Sequence, residues 1–229
     1  MLQAIFFGSI GTLVDTSELQ RQAFNSAFDR HQLGWHWSRE AYLPMLETSG
    51  GRKRIESYAQ KKGQSVDAYA IHRSKSEIFQ RSLRDATLEP RAGVVDVLSA
   101  AKRKGIKLAF VTTTSKRNVA SILKSLGKHL SADDFDLVIY RSDVEKPKPN
   151  KSAYCLARQR LDLPVNGCVA IEDNPGGVRS AKAAGLTCLA FPGENTLHCA
   201  FDTADIRGTA LSFQTIESLL GESVTPAVA

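Results

Sequence analysis

The stretch AIFFGSIGTLVDT, residues 4–16, decides the fold. Ala4 to Phe7 read as a buried hydrophobic strand, and Gly8 to Gly11, with two glycines and a serine, read as the turn that ends it. Two later stretches repeat the pattern of an apolar run, a polar turn and a helix-period segment: IKLAFVTTTS from Ile106 and CVAIEDNPGG from Cys168. LVIY (137–140) and TCLAFP (187–192) add two strand candidates, and the segments 150–160 and AKAAG (181–185) read as helices between them. Strands alternating with helices imply a parallel sheet. In an open parallel sheet, ligands gather at the carboxyl ends of the strands. Gly8 to Gly11, Thr112 to Ser115 and Glu172 to Asn174 all fall at such ends.

Residues 16–90 follow another rule. Leu19, Ala23, Phe24, Ala27 and Phe28 recur at helical spacing with almost no strand signal, so this segment reads as a helical insertion. LEPRAGV marks the return: Pro90 breaks the chain and Gly93 opens a new helix that ends near Gly105. The reading is a Rossmann-like α/β core, residues 1–15 and 91–229, with an inserted α-helical cap, residues 16–90. The tail GESVTPAVA is expected to fray.

Bulk properties narrow the function. With 229 residues and 42% hydrophobic content, the chain can bury one substantial core plus a smaller insertion. No apolar run approaches the ~20 residues of a membrane span, and the start MLQAIFF lacks the basic n-region and cleavage site of a signal peptide; the expectation is a cytoplasmic protein. The formal charge of +6 is spread along the chain, and only 7% of residues are aromatic. That pattern suits small anions and argues against a nucleic-acid surface. Cys155, Cys168, Cys188 and Cys199 show no CxxC spacing, which argues for reduced structural thiols over a zinc site or a disulfide framework.

Three strand ends carry candidate chemistry. Lys146 sits in K-P-K-P, where prolines hold the backbone extended and present an ammonium at a fixed place; a solvated loop lysine is the competing reading. Thr112 offers a hydroxyl, and its neighbour Thr113 a backbone N–H, to an anion. Glu172 and Asp173 suit a hard cation such as Mg²⁺, or equally the acidic start of a helix.

In order, GTLVDT, VTTTS, KPKPN and IEDNPGG, with an insertion after the first, resemble the four signature motifs of the haloacid dehalogenase-like phosphatases and phosphomutases. ELQRQAFNSAF, WHWSREAY, ETSGGRKRI, VTTTS and KAAGL are similar to the CbbY-like branch, which acts on sugar bisphosphates such as xylulose 1,5-bisphosphate. The resemblance covers essentially the whole chain. It implies phosphate holding by Thr112, Thr113 and Lys146, metal ligation by Glu172, Asp173 and the Ile10 backbone carbonyl, and substrate contacts in the cap from Glu18, Gln20, Arg52, Lys53 and Arg54. A helix-surface charge run is the competing reading of the last three.

In one respect the chain departs from that family. The opening motif places one aspartate to attack phosphorus and a second to move protons. Their seats hold Gly8 and Ile10, which have no group able to do either. Ser9 is expected to point to the opposite side of the strand, and Asp15 to cap the entry to the cap. With a charged ligand gone, Mg²⁺ should bind more weakly. With two carboxylates fewer, inorganic phosphate or a small phosphorylated sugar should meet less repulsion. Three functions remain open: an inactive family member that still binds such ligands and serves as a sensor or protein partner; a hydrolase in which a metal and Lys146 activate water directly; or a docking protein whose pocket is vestigial.

Overall fold

A computed structural model describes residues 1–47, 50–127 and 129–221; the tail expected to fray falls mostly outside this range, as do Thr48 and Ser49 of ETSGGRKRI. Six strands form one sheet: β1 (Ala4–Phe7), β2 (Lys107–Val111), β3 (Leu137–Ile139), β4 (Cys168–Glu172), β5 (Thr187–Ala190) and β6 (Ile206–Arg207). Their order is β3-β2-β1-β4-β5-β6, and every pairing is parallel. The two-residue β6 is exposed and gave no sequence signal.

Ten helices complete the chain: α1 (Ile10–Leu13), α2 (Ser17–Arg30), α3 (Arg39–Tyr42), α4 (Gly51–Lys61), α5 (Ala68–Asp85), α6 (Val94–Arg103), α7 (Lys116–Ser125), α8 (Ser152–Arg160), α9 (Pro175–Ala183) and α10 (Phe213–Ser218), counted among the described residues.

The central strand shows why the sheet is covered on both sides. Successive side chains of a strand point to opposite faces. Ile5 and Phe7 join one core with Val97 and Leu98 of α6, Ile122 of α7 and Ile216 of α10. Ala4 and Phe6 join another with Tyr154 of α8 and Val178 of α9. Every residue of β1 and β4 is buried, as befits strands inside a three-layer α/β/α stack.

Between α1 and α6 the chain is helical. Phe24, Phe28, Trp35, Trp37, Tyr42 and Ile55 build a separate aromatic core. Trp37 packs at 4.9 Å from Phe24 and 4.7 Å from Phe28, ring centroid to centroid, in tilted and edge-on geometries that suit the ring quadrupoles. Ala23 of α2 and Phe79 and Leu83 of α5 instead join the core beside the sheet, anchoring the helical segment to it.

Arg91 fastens the return. Its backbone N–H donates to Leu13 O at 2.8 Å, and its guanidinium donates to the carbonyls of Gly11 (2.7 Å), Phe191 (2.8 Å) and Pro192 (2.6 Å) while lying over the Phe191 ring. One cation thus ties the first turn to the loop after β5. Two residues later Gly93 has φ 84°, and a Cβ there would meet Leu211 O at 2.0 Å, so only glycine serves as the start of α6.

Candidate active site

Strand register sets the site. Phe7 lies opposite both Phe110 of β2 and Ile171 of β4. Gly8, Val111 with Thr112, and Glu172 therefore end side by side at the carboxyl edge of the sheet, the strand ends expected to hold it.

At the end of β1 the space beside Gly8 is filled by its neighbours. A Cβ on Gly8 would lie 2.2 Å from the Tyr154 hydroxyl oxygen and 2.3 Å from Cδ and Oε1 of Glu172. The Glu172 carboxylate at the end of β4 occupies the space that a side chain at position 8 would need. Glu172 is fully buried. Its Oε1 accepts from Lys148 Nζ at 2.6 Å and from the Tyr154 hydroxyl at 2.7 Å, while Oε2 has no hydrogen-bond partner among the described residues. Burial pushes the Glu172 carboxyl up, with the Lys148 charge pulling the other way. Burial likewise raises the Tyr154 phenol, so it stays protonated and donates.

The lysine that the structure buries at the strand ends is Lys148, where Lys146 was expected. Lys148 is 5% exposed, whereas Lys146 stands in solvent. Its ammonium donates to Gly8 O, to Val111 O at 2.7 Å and to the Tyr154 hydroxyl at 3.2 Å as well as to Glu172. K-P-K-P offers two lysines two residues apart in matching surroundings, so the motif alone does not fix the register. The second one wins because the ends of β1 and β2 present carbonyls that a buried ammonium needs. Tyr154, six residues on and in the first turn of α8, faces the same space; that aromatic spacing was the signal available in the sequence.

Ser9 also differs from expectation. Strand alternation stops at Phe7, and Ser9 is already the residue preceding α1. Its hydroxyl turns in and donates to Asp173 Oδ1 at 2.5 Å, which also accepts from the Asn174 amide at 2.8 Å. Ile10 is buried in the core beside the sheet, and its carbonyl accepts the Val14 N–H at 2.9 Å. A Cβ on Gly11 would strike Asp173 Oδ2 at 1.9 Å, which is why only glycine fits there. Asp15 does not cap α2, whose N-cap is Thr16; its Oδ1 accepts from Ser17 N at 2.9 Å just ahead of the helix.

Thr112 is 2% exposed and its Oγ1 accepts the Thr114 N–H at 3.1 Å, folding the turn that brings Thr113 to the partly exposed edge. Asn174 accepts from Gly177 N at 2.9 Å and so caps α9, leaving Glu172 and Asp173 outside the helix.

The residues expected in the cap divide. Glu18 is held by Arg21 at 2.5 Å; that hydrogen bond holds its carboxyl below the usual range. Together with Arg39, Glu194 and Asn195 these two line a cleft of about 310 Å³ between the helical segment and the sheet's edge. Arg21 and Arg39 carried no sequence signal because each is one basic residue among many. Gln20 points elsewhere: its amide donates to Thr16 Oγ1 at 3.1 Å and its carbonyl accepts from the buried Lys75 at 2.9 Å. Arg52 pairs with Glu56 at 3.2 Å on an exposed helix face, and Lys53 is exposed beside it, the surface-charge reading. Arg54 turns inward, donating to Met45 O at 2.9 Å and lying over Tyr42.

A parallel α/β sheet with the signature residues at its carboxyl edge and a helical insertion after the first of them defines a class. The chain belongs to the haloacid dehalogenase-like hydrolase family, whose model matches residues 11–191. Among individual relatives, Protein CbbY of Cereibacter sphaeroides is 38% identical over the whole of both chains. The crystal structure of CbbY from Rhodobacter sphaeroides in complex with phosphate superposes with a TM-score of 0.84 at 37% identity, covering 92% of this chain and 95% of that one. A mutant of the same protein in complex with xylulose-(1,5)bisphosphate gives 0.83 at 38%, with the same coverage.

Proposed function

We propose that this protein is a CbbY-like family member that binds phosphate or a small phosphorylated sugar and has lost aspartyl-phosphate catalysis. The observation that carries the reading is the end of β1: Gly8 has no side-chain oxygen to offer, and the one carboxylate in its space, Glu172, is fully buried and already engaged by Lys148 and Tyr154. A nucleophile must reach phosphorus unencumbered. Ile10, packed among apolar side chains, supplies no proton. Losing such a nucleophile costs on the order of a million-fold in turnover where this has been measured, in a protease.

Thr112, Thr113 and Lys148 are the phosphate-holding set, and the cleft edged by Glu18, Arg21 and Arg39 takes the distal part of a sugar phosphate. The ligand class follows from the relatives whose structures hold phosphate and xylulose bisphosphate. Lys148 has to share its charge between Glu172 and the anion, so the expected affinity is modest.

Magnesium fits these donors poorly. A hard cation of this size wants an octahedral oxygen shell rich in negative charge. Here the Glu172 charge is met by an ammonium, Asp173 is bonded to Ser9 and Asn174, and the Ile10 carbonyl holds Val14.

Titration of the purified protein with xylulose 1,5-bisphosphate and with inorganic phosphate, read by melting temperature, tests the proposal. A ligand that binds only the native state raises the Tm with concentration. The expected result is a saturable rise that Thr112→Val and Lys148→Met each diminish. No rise with either compound would leave a docking protein as the better account.

A further inference from the structure

A second set of donors lies where the helical segment meets the loop after β5. Glu47 ends the turn Leu43–Glu47, and His198 and Cys199 closely follow the turn Glu194–Thr196. A carboxylate oxygen, a ring nitrogen and a sulfur from these three residues all lie within 4.8 Å of one another, and His198 Nε2 stands 3.5 Å from Cys199 Sγ. Zinc bond lengths to sulfur and nitrogen, opened to a tetrahedral angle, place such a pair about 3.6 Å apart. The His–Cys pair therefore already stands at the spacing a metal imposes.

The donor chemistry is selective. Thiolate and imidazole with one carboxylate suit a borderline transition metal, not Mg²⁺ or Ca²⁺. Cys199 is 2% exposed and shielded from competing thiols, whereas Glu47 and His198 reach it from the solvent side, so an ion has an entry path. The sequence pattern argued against zinc because no two cysteines share a metal spacing. It had no means of bringing Glu47 to a neighbouring His–Cys pair some 150 residues later, a placement made by the packing of the two turns.

We propose that Glu47, His198 and Cys199 bind one Zn²⁺- or Co²⁺-like ion that pins the Leu43–Glu47 turn of the helical segment to the core. Three protein ligands leave the fourth tetrahedral position to water. On binding, the Cys199 thiol gives its proton to solvent and the metal–sulfur bond forms in its place. Glu194, four residues before His198, holds Arg39 by an ion pair, so pinning this loop would also restrain one side of the cleft.

The test is a Co²⁺ titration of the full chain followed by the near-ultraviolet thiolate-to-cobalt charge-transfer band, with Zn²⁺ added in parallel melting experiments. One equivalent should saturate the band. His198→Ala, an exposed change, should weaken binding by roughly tenfold or more, and Cys199→Ser should abolish the band. Zn²⁺ at about a hundredfold excess over its dissociation constant should raise the Tm by roughly 5–11 °C, and Glu47→Gln should remove most of that rise. No saturable band, a band that survives Cys199→Ser, or a zinc effect indifferent to both Glu47→Gln and His198→Ala would overturn the proposal. None of these readouts involves phosphate ligands or turnover.

Discussion

Replacing Gly8 by alanine asks whether its seat is occupied. The added carbon would sit 2.2 Å from the Tyr154 hydroxyl oxygen and 2.3 Å from the Glu172 carboxylate. Ordinary contact needs more than 3.4 Å, so over 1 Å must be found. Neither neighbour yields freely: both are fully buried, they are hydrogen-bonded to each other at 2.7 Å, and both bond to Lys148. Overpacking of this kind costs about 1–3 kcal/mol. For a chain of this length that is a fall in Tm of roughly 2–12 °C, measurable alongside a urea titration. Gly8→Asp should cost at least as much, because it adds a second carboxylate beside Glu172. Gly8→Asp with Glu172→Ala should recover stability, since the new carboxylate inherits Lys148. If Gly8→Ala lies within ~0.5 kcal/mol of the parent, Glu172 does not occupy the seat and the reasoning fails.

Further expectations concern buried charge. Lys148→Met strands the Glu172 carboxylate and should destabilise by about 3–5 kcal/mol, while Lys148→Met with Glu172→Met should be close to neutral; equal losses in the single and double variants would refute the pairing. Burial, with the Arg54 charge adding, lowers Lys75 to about 7, so the unfolded chain binds the extra proton between pH 7 and 10.5. Folding stability from this group therefore rises with pH across that window, and Lys75→Met should raise the Tm at pH 6 with the gain fading by pH 10. Burial also lowers His72, to about 4, so stability should decline as pH falls from 6.5 towards 4, and His72→Gln should flatten that limb. Arg91→Ala leaves three carbonyls without their donor and should cost several kcal/mol, with Arg91→Lys recovering only part.

Much of the fold was legible because it rests on local signals. Apolar runs ending in polar turns marked β1, β2 and β4, and the 3.6-residue spacing from Leu19 to Phe28 marked α2. The two-residue β6 was not legible, since two exposed residues carry no pattern. For the site, the strand ends were readable but the side-chain choices were not. Lys146 and Lys148 look alike in sequence, and only the three-dimensional supply of carbonyls at Gly8 and Val111 separates them. Likewise, a glycine without a side chain at position 8 is plain in the sequence, whereas the placement of Glu172 beside it depends on a residue more than 160 positions away. Ser9 escaped the alternation rule because the strand ends two residues before it.

The central claim is that no free carboxylate stands ready to attack phosphorus at the end of β1. Quench-flow mixing of the pure protein with radiolabelled xylulose 1,5-bisphosphate, with and without Mg²⁺, tests it most directly. The account predicts no acid-stable phosphoprotein and no phosphate release above the uncatalysed rate. A phosphorylated protein that forms and decays during turnover, and that Lys148→Met abolishes, would contradict it.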